Sequence, residues 1–253
     1  SIHRTYEDGE RLVTTPPYTA YLKIAEGCSN GCAFCIIPKL RGKYRSRSMD
    51  ALLAEARGLA DRGVKELIVI AQDITRYGLD LGDGSTLAKL LEELCKLDFH
   101  WVRLHYLYPE VITDELIHTI ATQPKLLHYL DIPIQHCNDA ILKAMRRHTT
   151  KAELVALFDR LRAAMPDVVL RTSLICGLPG EGEAEFEELC QFLREQKLQR
   201  AGVFQFSPEE GTLAAEMEDQ VDGETAARRV ELVVDLQSRI MDAYNEERLG
   251  SVM

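Results

Sequence analysis

The chain has 253 residues, close to the ~250 typical of an eight-fold α/β barrel, and its 46% hydrophobic content is enough for a sizeable core. No apolar run approaches the ~20 residues needed to cross a bilayer, and no basic stretch leads into an apolar one at the start, so the chain reads as cytoplasmic, neither membrane-embedded nor secreted. A formal charge of −10 disfavours a nucleic-acid surface, which needs clustered Lys and Arg, and suits a basic protein partner better.

Residues 1–17 are polar, contain Pro16 and Pro17 and show no period. They read as a connecting arm from an N-terminal region, and the opening Ser1 in place of Met points to a trimmed piece of something longer. Tyr18 to Ala25 is predicted as a first strand, with a cysteine-bearing loop at its C-terminal end. Two basic patches follow, Lys39 to Lys43 and Arg45 to Arg47, readable either as a solvated loop or as contact with a polyanionic or acidic partner. Ser48 is placed to cap a helix through Ala60, with Leu52, Ala56, Leu59 and Ala60 on one face and Gly63 beyond its end. Lys65 to Gln72 reads as a buried strand. Ser85 then caps a helix carrying Leu87, Leu90, Leu91 and Leu94, and Trp101 to Tyr108 forms a third strand stopped by Pro109.

Thr113 to Gln123 is predicted as a short helix and Tyr129 to Gln135 as a fourth strand with Pro133 near its end. Asp139 to Met145 gives one or two helical turns. Thr150 and Glu153 form a capping box for a helix through Met165, ended by Pro166. Val168 to Gly177 is a fifth strand, Glu183 to Lys197 a helix and Gly202 to Phe206 a sixth strand. Asp222 to Arg248 is one long helix with Ala226, Val230, Val233, Ile240 and Tyr244 along one side. Strands followed by helices describe parallel βα units with right-handed crossovers, and six strands leave a barrel short of closure. Functional loops in such folds gather at the C-terminal ends of the strands.

Seven cysteines in a chain that is not secreted argue for reduced thiols. Cys95 and Cys190 fall in helical apolar patterns and Cys176 in a strand, where each reads as a small buried hydrophobe. Cys137 follows Gln135 and His136 at a strand end. Cys28, Cys32 and Cys35 place three thiols within eight residues of one loop. Structural zinc closes with four ligands, whereas a cubane iron–sulfur cluster on three cysteines keeps one iron open. A zinc loop, or an electron-transfer cluster with a fourth thiol from elsewhere, is the alternative.

The Cys-x3-Cys-x2-Cys spacing, with Phe34 just before the last cysteine, resembles the signature of the radical S-adenosylmethionine (radical SAM) enzymes. The resemblance implies a TIM-like partial (β/α)6 barrel of the radical SAM type. It further implies that Cys28, Cys32 and Cys35 hold a 4Fe-4S cluster, with Phe34 beside it, and that the open iron takes the amino and carboxylate groups of S-adenosylmethionine. Ile175 to Glu181 resembles the hydrophobic-x-Gly-x-Pro-x-Glu element lining the adenine in those enzymes, which would make Ile175, Gly177 and Glu181 cofactor-binding; a plain strand-to-helix turn is the alternative. Gln72 and Asp73 occupy the place where relatives meet the methionine ammonium, although capping backbone amides is an equal use for them. Gln135 is placed for the ribose. Arg147 suits the methionine carboxylate through its planar fork, or is a surface charge beside Arg146 and His148. His105, His128 and His136 lack metal-ligand spacing and read as core or rim residues, and Asp80 and Asp83 as a plain loop.

Along residues 10 to 249 the chain looks most similar to the central domain of the methylthiotransferases. Ala71 to Gly78, Asp131 to Asp139 and Ser207 to Thr212 resemble the branch that modifies an aspartate of a small-subunit ribosomal protein, rather than the branch acting on a tRNA adenosine. Ile74, Leu178, Gly182 and Leu213 depart from the expected residues. The resemblance implies a radical SAM core over residues 18–249, preceded by a domain with a second 4Fe-4S cluster and followed, through a linker starting at 250–253, by a substrate-binding TRAM domain. It also implies an electron donor such as a flavodoxin or ferredoxin, and a fragment that by itself cleaves S-adenosylmethionine at best.

Overall fold

Each apolar run read as a strand supplies one strand of a six-stranded parallel sheet in the computed structural model, which describes residues 14–251. In chain order the strands are β1 (Thr19–Lys23), β2 (Ala25–Glu26), β3 (Arg45–Ser46), β4 (Glu66–Ile70), β5 (Trp101–Leu104), β6 (Leu126–Asp131), β7 (Val169–Cys176) and β8 (Arg200–Gln205). The helices are α1 (Ile37–Arg41), α2 (Met49–Asp61), α3 (Leu87–Cys95), α4 (Asp114–Thr122), α5 (Asp139–Ala144), α6 (Lys151–Ala164), α7 (Glu183–Gln196) and α8 (Gly223–Glu246). The sheet order β1-β4-β5-β6-β7-β8, with helices between successive strands, is the partial (β/α)6 pattern. The arm expected over residues 1–17 lies outside the described residues as far as residue 13, as do residues 252 and 253 of the expected linker.

The described residues up to Asn30, with Ile37–Leu130, form one compact unit; Gly31–Ile36, with the described residues from Asp131 onward, form a second. In the first unit β1 and β4 pair in parallel with Tyr21 opposite Ile68. Ala20, Leu22, Leu67 and Val69 are completely buried, as are Leu52 and Leu59 of α2 and Leu90 and Leu91 of α3. Several of the alternate residues, Lys23, Glu66 and Arg103 among them, are charged and more open, and Arg103 pairs there with Glu66 at 2.7 Å. One face of the sheet is therefore a dry core, and the other keeps charge that a packed barrel centre would exclude. In the second unit β7 alternates strictly, with Leu170, Thr172, Leu174 and Cys176 buried, and pairs in parallel with β8.

Several boundaries differ from the sequence reading for local reasons. The first strand stops at Lys23, because Ala25 and Glu26 leave the sheet to pair antiparallel with Ser46 and Arg45. Part of the basic loop forms α1. The cap of α3 is Thr86, whose hydroxyl accepts from the Lys89 amide, while Ser85 donates its own amide to Asp83. The third strand ends at Leu104, since Tyr106 takes a left-handed φ of 66° and offers its carbonyl to the Ile74 amide. The fourth strand starts earlier and ends at Asp131. Beyond it Pro133 has no N–H to give, and pairing resumes only as a single bridge between Gln135 and Leu174. Along α8 the buried face is Ala226, Arg229, Val233 and Gln237, while Val230, Ile240 and Tyr244 are half-buried.

Candidate cofactor site

In the first unit the loop after β1 is held by its own backbone. Gly27 has φ +75°, and a Cβ there would lie 2.3 Å from the Lys43 carbonyl oxygen, so only glycine allows this approach. The Cys28 amide donates to the Gly42 carbonyl at 3.1 Å, and the Tyr44 amide donates to Ser29 Oγ at 3.0 Å. Asn30 Nδ2 donates to Asp73 Oδ2 at 2.9 Å. Asp73 also accepts from the Thr75 amide at 3.0 Å and the Thr75 hydroxyl, and has Arg76 Nε at 3.2 Å. Of the pair expected at the methionine ammonium, Gln72 is exposed, whereas Asp73 is completely buried with both oxygens engaged. Asp73 therefore pins the cysteine loop. Asn30, its partner, escaped sequence reasoning because its role depends on a residue 43 positions away.

In the second unit Cys32 and Cys35 are half-buried, and the Cys35 amide donates to the Cys32 carbonyl at 3.1 Å. Ala33 anchors them on both sides, donating to the Met145 carbonyl at 3.0 Å and accepting from the Ala214 amide at 2.9 Å. Phe34 packs on a small apolar cluster of Ala33, Ile141, Met145, Leu178 and Ala214. Arg147 is only 5% exposed, so its reading as a surface charge is incorrect. Its guanidinium donates to the Pro133 carbonyl at 2.7 Å and lies 3.8 Å from Cys32 Sγ.

The remaining expected residues lie on two neighbouring segments of the second unit. Gln135 takes a left-handed φ of 71°; its amide donates to the Ser173 carbonyl and its carbonyl accepts from the Ile175 amide, each at 2.9 Å. Ile175 is half-buried at the end of β7, and Gly177 turns the chain with φ +82°. Glu181 faces inward and is 3% exposed. Its Oε1 accepts from the Gly177 amide and from Arg229 Nη1, both at 3.0 Å, and Arg229 also donates to the Glu181 carbonyl at 2.6 Å. Glu181 Oε2 faces His136 Nε2 at 3.4 Å. Arg229 and His136 were not recognised as part of this region from the sequence.

The seven thiols divide by environment. Burial pushes Cys95 up to about 11 and Cys137 and Cys176 up to about 12, and it raises Cys190 as well, so these four stay protonated and inert at neutral pH. Cys28, Cys32 and Cys35 are the half-buried ones. Among the described residues no three His, Cys, Asp or Glu side chains stand arranged as ligands of a metal ion. The fit to an iron–sulfur cluster rests on the donor chemistry: three half-buried soft sulfurs within eight residues of sequence, with a cation against Cys32.

Residues 22–193 match the family described as the radical SAM superfamily. The chain is 48% identical over 242 residues to the ribosomal protein uS12 methylthiotransferase RimO of Caldanaerobacter subterraneus subsp. tengcongensis, covering 95% of this chain and 55% of that protein. It is 50% identical over 244 residues to the protein of the same name from Clostridium perfringens strain SM101, covering 96% and 55%. The chain thus spans about half the length of the curated relatives it matches. Among solved structures, Escherichia coli coproporphyrinogen III oxidase HemN, a radical SAM enzyme, matches with TM-score 0.62 and 17% identity over 90% of this chain and 54% of that one. The radical SAM methyltransferase TsrM of Kitasatospora setae, with cobalamin and a [4Fe-4S] cluster bound, matches with TM-score 0.63 and 15% identity over 78% and 40%. At such identities the likeness is one of fold.

Proposed function

This chain belongs to the radical SAM superfamily, and from that premise we propose that it is the S-adenosylmethionine-cleaving core of a methylthiotransferase acting on an aspartate β-carbon of a small-subunit ribosomal protein. The observation that carries the chemistry is the division of thiols: Cys28, Cys32 and Cys35 are accessible while the other four are buried. What supports the substrate is the identity to two relatives named for uS12.

Cys28, Cys32 and Cys35 would hold the 4Fe-4S cluster. When bound, the cluster supplies the electron that splits S-adenosylmethionine into methionine and a 5'-deoxyadenosyl radical. Arg147 donates toward Cys32 Sγ, Asp73 fixes the loop through Asn30, and Phe34 shields the site from water. Gln72 and Gln135 offer carboxamides to the methionine ammonium and the ribose, and Ile175 and Gly177 form the wall for adenine. A second 4Fe-4S cluster and the sulfur it delivers belong to another part of the intact protein. The electron comes from a small carrier such as a flavodoxin or ferredoxin, and the exposed Lys39, Arg41, Lys43 and Arg45 offer a basic landing area for an acidic one. No helix among the described residues is long and apolar enough to cross a membrane, and we place the protein in the cytoplasm with its ribosomal substrate.

The test uses the full-length parent, anaerobically reconstituted and reduced, with S-adenosylmethionine and sulfide. It is offered the ribosomal protein and, separately, tRNA, and products are read by mass spectrometry. Methylthio addition to a protein aspartate is the expected result. Addition to an adenosine instead overturns the substrate while leaving the cluster assignment, and absence of 5'-deoxyadenosine from a cluster-loaded protein overturns the S-adenosylmethionine-cleaving reading.

A further inference from the structure

The segment after β6 and the turn after β7 meet in a buried polar cluster of His136, Glu181 and Arg229. His136 is completely buried, directly after Gln135 with its left-handed backbone. Its Nδ1 accepts from the Asn138 amide at 3.0 Å, so the ring proton sits on Nε2, which points across at Glu181 Oε2. Neither of these two atoms has a hydrogen-bond partner among the described residues. On the other side Arg229, one turn along α8 from Ala226, grips Glu181 through both its carboxylate and its carbonyl, and its guanidinium lies 5.2 Å from the centre of the Phe186 ring. Ala226 itself closes the space over Gly177, where an added Cβ would sit 2.4 Å from the Ala226 Cβ.

We propose that His136 and Arg229 are positioning residues which, acting through Glu181, set Gln135 and Gly177 in the relative placement that grips the adenosine end of S-adenosylmethionine. This rests on the cofactor reading above. His136 is completely buried and the Arg229 guanidinium is engaged by the Glu181 carbonyl and carboxylate, so both reach the ligand site through Glu181, and burying an Arg, a Glu and a His together carries a desolvation cost that this role would justify. The pattern fits a brace: Glu181 fixes the Gly177 amide from within its own turn, Arg229 fixes Glu181 from α8, and the buried His136 ring, 3.4 Å from the second Glu181 oxygen, packs the segment that begins with Gln135 against them. Second-layer contacts of this kind typically govern the orientation of the groups in front of them. The methionine end, served by Arg147, Gln72 and the cysteine loop, does not depend on this brace.

The experiment compares His136→Ala, His136→Gln, Arg229→Met and Arg229→Lys in the full-length, cluster-reconstituted protein. Affinities for S-adenosylhomocysteine, 5'-deoxyadenosine and methionine are measured by calorimetry, and cluster content by absorbance. His136→Ala is expected to weaken S-adenosylhomocysteine and 5'-deoxyadenosine about tenfold while methionine stays within about twofold, with cluster content unchanged. His136→Gln, which keeps a donor, recovers most of the loss. Should Arg229→Met fail to fold, Arg229→Met with Glu181→Gln removes the stranded charge and is expected to show the same selective loss. Equal weakening of all three ligands means general loosening and overturns the proposal, as does an unchanged affinity in His136→Ala. A wild-type protein that binds none of the three overturns the cofactor reading, and with it this one.

Discussion

Gly177 concentrates two constraints in one residue. Its φ of +82° belongs to the left-handed region, and its missing side chain is replaced by the Ala226 methyl of α8. Gly177→Ala therefore adds backbone strain to a steric clash and is expected to destabilise the protein by about 2–4 kcal/mol in urea unfolding. Adding Ala226→Gly should recover the part due to the clash and leave the part due to φ; complete recovery would mean that backbone conformation matters little there. Such residues were only half legible in the sequence. The three cysteines stand out because their short spacing is visible along the chain, and Gly177 because glycine before a Pro-Gly pair marks a turn. Asn30, His136 and Arg229 do not, because each acts through a partner brought close only by folding: Asp73, Glu181, and Glu181 again. For Glu181 the motif marks a place in the turn, while the inward direction of its carboxylate, which accepts from the Gly177 amide and Arg229, is set by folding.

Among the elements, α5 and α6 are joined by a polar clasp at their N-termini. Glu188 of α7 accepts from Asn138 Nδ2 at 2.6 Å and from Lys151 Nζ at 3.0 Å. Partial burial works against its charged form, yet these two donors outweigh that and hold the Glu188 carboxyl below its usual 4.5, while the same contact raises Lys151. A folded-state value depressed below the unfolded one gives stability that is full above about 4.5 and is lost as pH falls through the lower folded value. Thermal midpoints of Glu188→Gln should thus converge with those of the parent in acid and fall below them near neutrality; a constant offset at all pH values would rule out the linkage. The sequence displayed the regular elements well wherever apolar periods were long, as in α3 or β7. It missed β2, β3 and α1, since two paired residues or a five-residue helix rich in cations present no period to detect. It missed the polar half of the α8 face because Arg229 and Gln237 look like solvent residues until their buried partners, Glu181 and the Leu198 carbonyl, are known.

At the scale of the whole chain, charge is unevenly spread. The total is −10, yet from Gly27 to Met49 there is no Asp or Glu, and Lys39, Arg41, Lys43, Arg45 and Arg47 alternate along the stretch that is hydrogen-bonded to the Cys28 loop. If an acidic ferredoxin delivers the electron here, its reduction of the reconstituted protein should slow as salt rises and slow further in Lys43→Glu, while reduction by dithionite stays the same. Equal slowing with both reductants would place the carrier elsewhere. The unequal burial of the sulfurs also gives the molecule a built-in record of its history. Prolonged air leaves the half-buried Cys28, Cys32 and Cys35 open to sulfinic and sulfonic damage, while Cys95, Cys137, Cys176 and Cys190 remain untouched in the interior as long as the fold holds. The ratio of oxidised to intact cysteine peptides from a single preparation would then date its exposure to oxygen, with the four sheltered residues as the clock's unmoving face.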